Sequence, residues 1–210
     1  MTDHVWHHEV IGPTVEQTLK ALKERSLLEG FYLAGGTGLA LQLGHRRSLD
    51  LDFFRQESFN DAQLLQQLQR FPEFSLTGRD RQTLHVRISD VKISFLGYDY
   101  PVLFPCRPFL EVPVADPKDI GSMKISAIAG RGTRRDFVDL YMVARQEGLK
   151  ALLDLFQRKF ADANYNRVHV LKSLTYFDDA DAEPMPNMLV PLAWQDVKDF
   201  FREQTPGLLY

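Results

Sequence analysis

The chain predicts an α+β fold, and three observations carry that expectation. Short apolar or alternating runs that read as strands are confined to residues before about 100. Helix signals dominate from residue 116 onward, and a proline-rich segment, Pro101 to Pro113, lies between the two regimes. In order, Pro13-Thr14 opens a helix with Thr14 and Gln17 in capping-box spacing, an apolar stripe at Val15, Leu19 and Leu22, and Gly30 as its stop. Phe31 to Ala34 reads as a short buried strand and Thr37 to Leu43 as a short helix. Leu49 to Phe54 alternates apolar with acidic residues, the period of a strand with one wet face. Asn60 caps a helix to Phe71, which Pro72 ends. Strands follow at Glu73–Thr77, Thr83–Ile88 and Val91–Leu96, and the proline-rich segment is expected to wrap the surface with one short extended piece.

Asp116-Pro117 is a cap followed by proline at the first helical position, and that helix runs to Ala129 with Gly130 as its stop. Thr133 starts another, ending near Gly148, and helices at about 150–161 and 164–177 follow. The acid-rich stretch 178–183 before Pro184 reads as a solvated connector, and a last helix near Ala193–Glu203 carries Trp194. The expected organisation is an α/β core over residues 1–115 and a helical region over 116–210 that completes the site.

Composition narrows the function classes. Of 210 residues, 44% are apolar and 25% charged, ordinary for a globular chain, and Lys+Arg 25 against Asp+Glu 28 gives a net charge of −3. Bulk charge therefore argues against a coat for nucleic acid or an anionic membrane. The single cysteine, Cys106, excludes an internal disulfide, and no Cys/His spacing matches a zinc site. The first ten residues lack the apolar core of a signal peptide. The longest uncharged apolar stretch, Phe31 to Gly44, has 14 residues, short of the roughly 20 that span a bilayer. A soluble, cytoplasmic protein with no membrane partner is expected.

The most informative stretch is Ala34-Gly35-Gly36-Thr37 followed by Asp50-Leu51-Asp52-Phe53. A strand running into a double-glycine turn that opens a helix lets backbone N–H groups approach a phosphate, and the helix N-terminus favours negative charge. Asp50 and Asp52, at i and i+2 in a strand, share one face. Two carboxylates beside a phosphate cradle repel each other and the phosphate unless a hard cation stands between them, and Mg²⁺ is the expected one. Two arginine clusters, His45-Arg46-Arg47 and Arg131 to Arg135, can meet triphosphate or an RNA backbone, or simply be solvated loops. His4, His7 and His8 read as an exposed, flexible terminus, and Tyr98, Tyr100, Phe104 and Phe109 as packing.

The run LAGGTGLALQLGHRRSLDLDFF resembles the first signature of the polymerase-β-type nucleotidyltransferase fold, and more specifically the AbiEii/AbiGii toxins of type IV toxin–antitoxin pairs. DPKDIGSMKISAIAGRGTRRDFVDLYMVAR resembles that family's later motif, a helix bearing a lysine, then Arg, then Asp-Phe-x-Asp-Leu. VKISFLGYDYP lies between them, where the family has its next core strand. Three motifs in the right order cover about residues 28–145.

The resemblance implies a small mixed sheet flanked by helices, a polymerase-β-like core, followed by a helical C-terminal half. It implies that Asp50 and Asp52 bind Mg²⁺, and that Gly35, Gly36 and Thr37, with Ser48, line the triphosphate site. Lys124, on an otherwise apolar helix, would face the phosphates or the developing charge. Arg131, Asp136 and Asp139 would complete the site. Residue types alone leave other roles open: Asp136 stands in capping-box spacing to Thr133, and Asp139 lies one turn from Arg135. The implied activity moves NMP from an NTP to an acceptor hydroxyl on RNA, such as tRNA, or on protein, with a cognate antitoxin in opposition. One departure matters. The wider fold places a third carboxylate on a neighbouring strand, and the matching position here is Ser94, a poor Mg²⁺ ligand and no base at neutral pH. Either Asp136 or Asp139 takes that role, or one metal suffices, or the chain binds nucleotide without turnover. A transferase acting on a small, antibiotic-type molecule is a further alternative on the same fold.

Overall fold

Strict alternation organises the sheet. In β2 (Leu51–Arg55), Leu51 and Phe53 are buried while Asp52 and Phe54 face the other way. β4 (Thr83–Ile88) and β5 (Val91–Gly97) repeat the pattern with Leu84, Val86, Ile88, Val91, Ile93 and Phe95 on the first face. The computed structural model describes residues 5–208. Among these, β1 (Tyr32–Leu33), β3 (Phe74–Asp80), β6 (Arg107–Phe109) and β7 (Val112–Val114) complete a mixed seven-stranded sheet of order β3-β4-β5-β2-β1-β7-β6. β2 runs parallel to β5 and β1 parallel to β7, and the remaining neighbours are antiparallel. The expected α+β architecture of a small mixed sheet with a helical second half is what forms.

One face packs on α1 (Pro13–Glu24) and α3 (Asp61–Leu68), where Leu19, Leu22, Leu64 and Leu68 join the strand residues in a single apolar cluster. The opposite face is covered by the helical half. α4 (Pro117–Gly130), α5 (Arg134–Glu147), α6 (Leu149–Lys159), α7 (Arg167–Ser173) and α9 (Trp194–Gln204) build a second cluster around Phe137, Leu152, Phe156 and Phe201, which reaches Tyr32, Ala34 and Leu39. α2 (Gly35–Leu43) contributes Ala40 and Leu41 to the first cluster and Leu39 to the second.

Several expectations are corrected. α1 ends at Glu24, six residues before Gly30, and its cap is Gly12 with no side-chain bond. The Thr14–Gln17 capping box does not form, because Thr14 already lies inside the helix, where its carbonyl accepts from Thr18 Oγ1. The chain turns at Ser26 in left-handed conformation (φ 56°). α3 stops at Leu68, short of Phe71. The proline-rich segment does more than wrap the surface: β6 and β7 form a hairpin whose second strand extends the sheet beside β1. The stretch 178–183 is not a plain connector, since α8 (Asp178–Asp181) buries Ala180, and Asp181 accepts from Trp194 Nε1 at 2.5 Å and pairs with Lys198 at 3.1 Å. His4 lies outside the described residues. His7 and His8 are not loose, for the His7 backbone N–H donates to Leu41 O and the His8 ring lies 4.9 Å from that of Phe109.

Asn60, Asp116 and Thr133 are N-caps as expected, accepting from the N–H groups of Gln63, Lys118 and Asp136 respectively.

Candidate active site

The double glycine explains how the first motif is built. Gly35 adopts φ 61°, which favours glycine, and a Cβ there would lie 2.6 Å from Asp52 Oδ2. A Cβ on Gly36 would lie 2.2 Å from Arg46 Nη2. The absent side chains thus let the start of α2 rest directly against the Asp52 carboxylate and the Arg46 guanidinium. Thr37 Oγ1 binds Ser48 Oγ at 2.8 Å and the Asp50 carbonyl, tying the helix start to the segment that leads into β2.

Asp50 and Asp52 differ in setting. Asp52 is set in β2, and burial pushes its pKa up; the Ser94 hydroxyl and the Lys124 charge act downward, while the Asp50 charge adds to the rise. Asp50 precedes the strand, its side chain 43% exposed, with Arg135 Nη1 at 3.8 Å. Among the described residues no group of three or more His, Cys, Asp or Glu side chains is arranged around a metal position. The candidate donors are the carboxylates of Asp50 and Asp52. That fits Mg²⁺, which takes one or two carboxylates and completes its shell with water and phosphate oxygens. It does not fit zinc or calcium held by protein alone.

The second motif supplies cations. Lys124, buried on α4, reaches Asp136 Oδ1 at 2.8 Å and Asp139 Oδ2 at 2.7 Å. Burial disfavours its charge, but Asp139 and Asp136 outweigh that and raise its pKa. Asp136 also accepts from Arg131 Nε at 3.0 Å and from Thr133 Oγ1 at 2.7 Å. Burial would raise the Asp136 pKa, yet Lys124 and Arg131 hold it down at about 2. Asp139 is fully enclosed. Arg46 grips it with Nε at 2.7 Å and Nη2 at 2.8 Å, and His45 Nε2 adds a contact at 2.9 Å. Its pKa lies well below the carboxylate range because Lys124 and Arg46 overcome its burial. The partner foreseen for Asp139, Arg135, instead faces Asp50.

A cavity of about 480 Å³ joins the two motifs. Gly35, Gly36, Asp52, Lys124, Arg131 and Asp136 line it on the polar side, and Phe54, Leu96, Tyr98, Ile120 and Met123 form an apolar wall. Of the sequence-derived candidates, Thr37, Ser48 and Asp139 are buried and, like the half-exposed Asp50, do not line the cavity. Sequence reasoning missed the apolar wall and His85, which lines the cavity beside Ser94. Tyr98 does pack, edge-on to Phe54 at 5.2 Å, but it also faces the cavity. The burial pattern of β4 and β5 sets His85 and Leu96 on the face that carries Asp52, and only pairing register shows that this face is the site's floor.

Comparison with known proteins agrees with this architecture. A protein of Aquifex aeolicus (strain VF5), itself uncharacterised, is 32% identical over 199 residues, covering 92% of this chain and 95% of that one. MenT4, the nucleotidyltransferase toxin Rv2826c of Mycobacterium tuberculosis H37Rv, superposes with a TM-score of 0.55 at 18% identity, over 91% of this chain and 83% of that one. The antibiotic-resistance factor ANT(2'')-Ia gives a TM-score of 0.51 at 12% identity, over 70% and 90%. At such identities these two structures establish the shared fold. The sequence model of the family described as nucleotidyl transferase AbiEii toxin, type IV TA system, matches residues 17–207. With nearly its whole length accounted for, the chain belongs to the AbiEii toxin family and is a nucleotidyltransferase.

Proposed function

We propose that the protein transfers a nucleoside monophosphate from an Mg²⁺-bound NTP to a hydroxyl of an RNA acceptor, with tRNA the first candidate, and that it acts as the growth-blocking member of a pair opposed by a cognate antitoxin. The observation that carries this reading is the half-buried, under-neutralised Asp52 carboxylate against the Gly35–Gly36 helix start, in one cavity with Lys124 and Arg131. The N-terminal N–H groups of α2 receive phosphate oxygens. Asp50 and Asp52 would hold Mg²⁺, which when bound screens the triphosphate from the two acids and eases departure of pyrophosphate. Arg131, whose side chain is 68% exposed, meets the triphosphate from the cavity mouth. Lys124 faces the charge that grows on the phosphoryl oxygens, held in place by Asp136 and Asp139. Those two acids, like Arg46, are positioning residues in this scheme, and Thr37 and Ser48 brace the helix start. The apolar wall of Phe54, Leu96, Tyr98 and Met123 suits the face of a nucleobase.

No helix among the described residues is long and apolar enough to cross a membrane. Incubation with each labelled NTP and total RNA, wild type beside Asp50→Ala/Asp52→Ala, tests the reading: label enters an RNA band with wild type alone. Absence of transfer to any RNA sinks it, and label on protein instead reassigns the acceptor. Ser94 favours one rival, a nucleotide-binding module without turnover. Calorimetry that finds tight NTP binding with no pyrophosphate release selects that rival.

A further inference from the structure

The resemblance implies a third acid on the strand beside Asp52, and other residues occupy that row. Strand register places Asp52 of β2 opposite Ser94 of β5, and Ser94 opposite His85 of β4. All three side chains project from the cavity face of the sheet, because their neighbours Phe53, Phe95, Leu84 and Val86 are buried on the other. Ser94 stands beside Asp52 in the register on one side, and its Oγ lies 3.1 Å from His85 Nδ1 on the other. The row continues into β3, where Gly78 pairs with His85. A Cβ on Gly78 would stand 3.3 Å from the imidazole Cδ2, so the glycine leaves the ring room in this position.

With the Ser94 hydroxyl proton turned toward the Asp52 carboxylate, which only accepts when ionised, Ser94 Oγ accepts from Nδ1–H of His85. Nε2 is left as the unprotonated nitrogen of an exposed ring that lines the cavity. A base, a group that orients it and a carboxylate behind that group form the arrangement by which a proton acceptor is aimed.

The acids offered as substitutes do not suit the task. Asp139 is enclosed by Arg46, His45 and Lys124, and Asp136 is occupied by Lys124, Arg131 and Thr133.

We propose that His85, oriented through Ser94, receives the proton of the acceptor hydroxyl in place of the missing carboxylate. This rests on the transferase reading above. The acceptor oxygen forms its bond to the α-phosphorus, and the bond from that phosphorus to the bridging oxygen breaks, its electron pair leaving with pyrophosphate. The hydroxyl proton passes to His85 Nε2. The resulting imidazolium is steadied through Ser94 by Asp52, and its exposure lets it return the proton to solvent.

The test uses the full chain, labelled NTP and total RNA. His85→Ala should lower the rate of label transfer at saturating NTP by about 10²-fold or more, with the affinity for a non-hydrolysable NTP analogue and the melting temperature unchanged. Added imidazole should restore part of the rate, and His85→Ala/Ser94→Asp, which returns a carboxylate to the row, should recover it. A merely structural histidine gives neither rescue. Wild-type rates in His85→Ala overturn this inference alone, as does a loss that neither imidazole nor Ser94→Asp repairs. A wild type that transfers no label overturns both it and the transferase reading.

Discussion

Asp52, half-buried, and Asp139, fully buried, are acids of the two signature motifs, and their surroundings are opposite. Asp139 sits on the helical side with three cationic or potentially cationic partners, Arg46, Lys124 and His45, and its pKa lies far down. Asp52 sits on the sheet side with one hydroxyl and a second acid near it, and burial pushes its pKa up although the Lys124 and Arg131 charges act downward. A buried charge that is fully matched within the fold has little left to offer a ligand. One that is under-matched keeps an uncompensated preference for positive charge. The first region is therefore the frame, joining α2, α4 and α5 through one carboxylate, and the second is where chemistry can happen.

Two substitutions break the comparison at its extremes. Asp52→Asn should cost about 10³-fold or more in nucleotidyl transfer, the scale of losing a principal electrostatic contribution to the transition state. Melting temperature should hold or rise, because the raised pKa means that ionised Asp52 opposes folding at neutral pH. A melting temperature that falls with activity would place Asp52 in the frame. Asp139→Ala should do the reverse. It strands Arg46, Lys124 and His45 in the interior and should destabilise by about 3–5 kcal/mol, or roughly 10 °C for a chain of this size, read by thermal melting. A variant that melts like wild type would refute the frame.

What was legible in the sequence divides along the same line. Local chemistry read well: the caps at Asn60, Asp116 and Thr133, the alternation of β2, and the glycine pair with its following acids all depend on neighbours within a few residues. Partnerships across the chain did not. Asp139 offered Arg135 at helical spacing, but the fold satisfies it with Arg46, 93 residues away, because both project into the junction of α2 and α5. A two-residue β1 and a hairpin hidden among prolines carry too few positions for a period to show. His85 was invisible for another reason. A lone histidine on a strand acquires meaning only once register sets it beside Ser94, and register is a property of the sheet.

Gly36→Ala sharpens the comparison at the seam between the two regions, since the new methyl would meet the Arg46 guanidinium at 2.2 Å. Arg46 cannot yield freely, being held by both Asp139 oxygens, so the start of α2 must shift instead. A stability cost of about 1–3 kcal/mol should accompany a larger loss of NTP affinity, measured by calorimetry. Unchanged affinity would remove the helix start from the phosphate site.

The smallest effect is the most specific. Asp136 falls from an ordinary 3.8 to about 2 in the folded protein, because Lys124 and Arg131 outweigh its burial. A lowered acid contributes stability that is full above its unfolded pKa and disappears as pH falls through the folded one. Asp136→Asn should therefore lower stability at pH 7 by something on the order of 1–2 kcal/mol, and the difference from wild type should shrink between pH 4 and pH 2. Asp52 gives the opposite sign, since a raised acid penalises the fold only once ionised, so Asp52→Asn should gain its advantage as pH rises. Denaturant melts of the two variants from pH 2 to pH 7 should diverge, Asp136→Asn changing below about pH 4 and Asp52→Asn above it, and parallel curves would mean that the two acids share one environment after all.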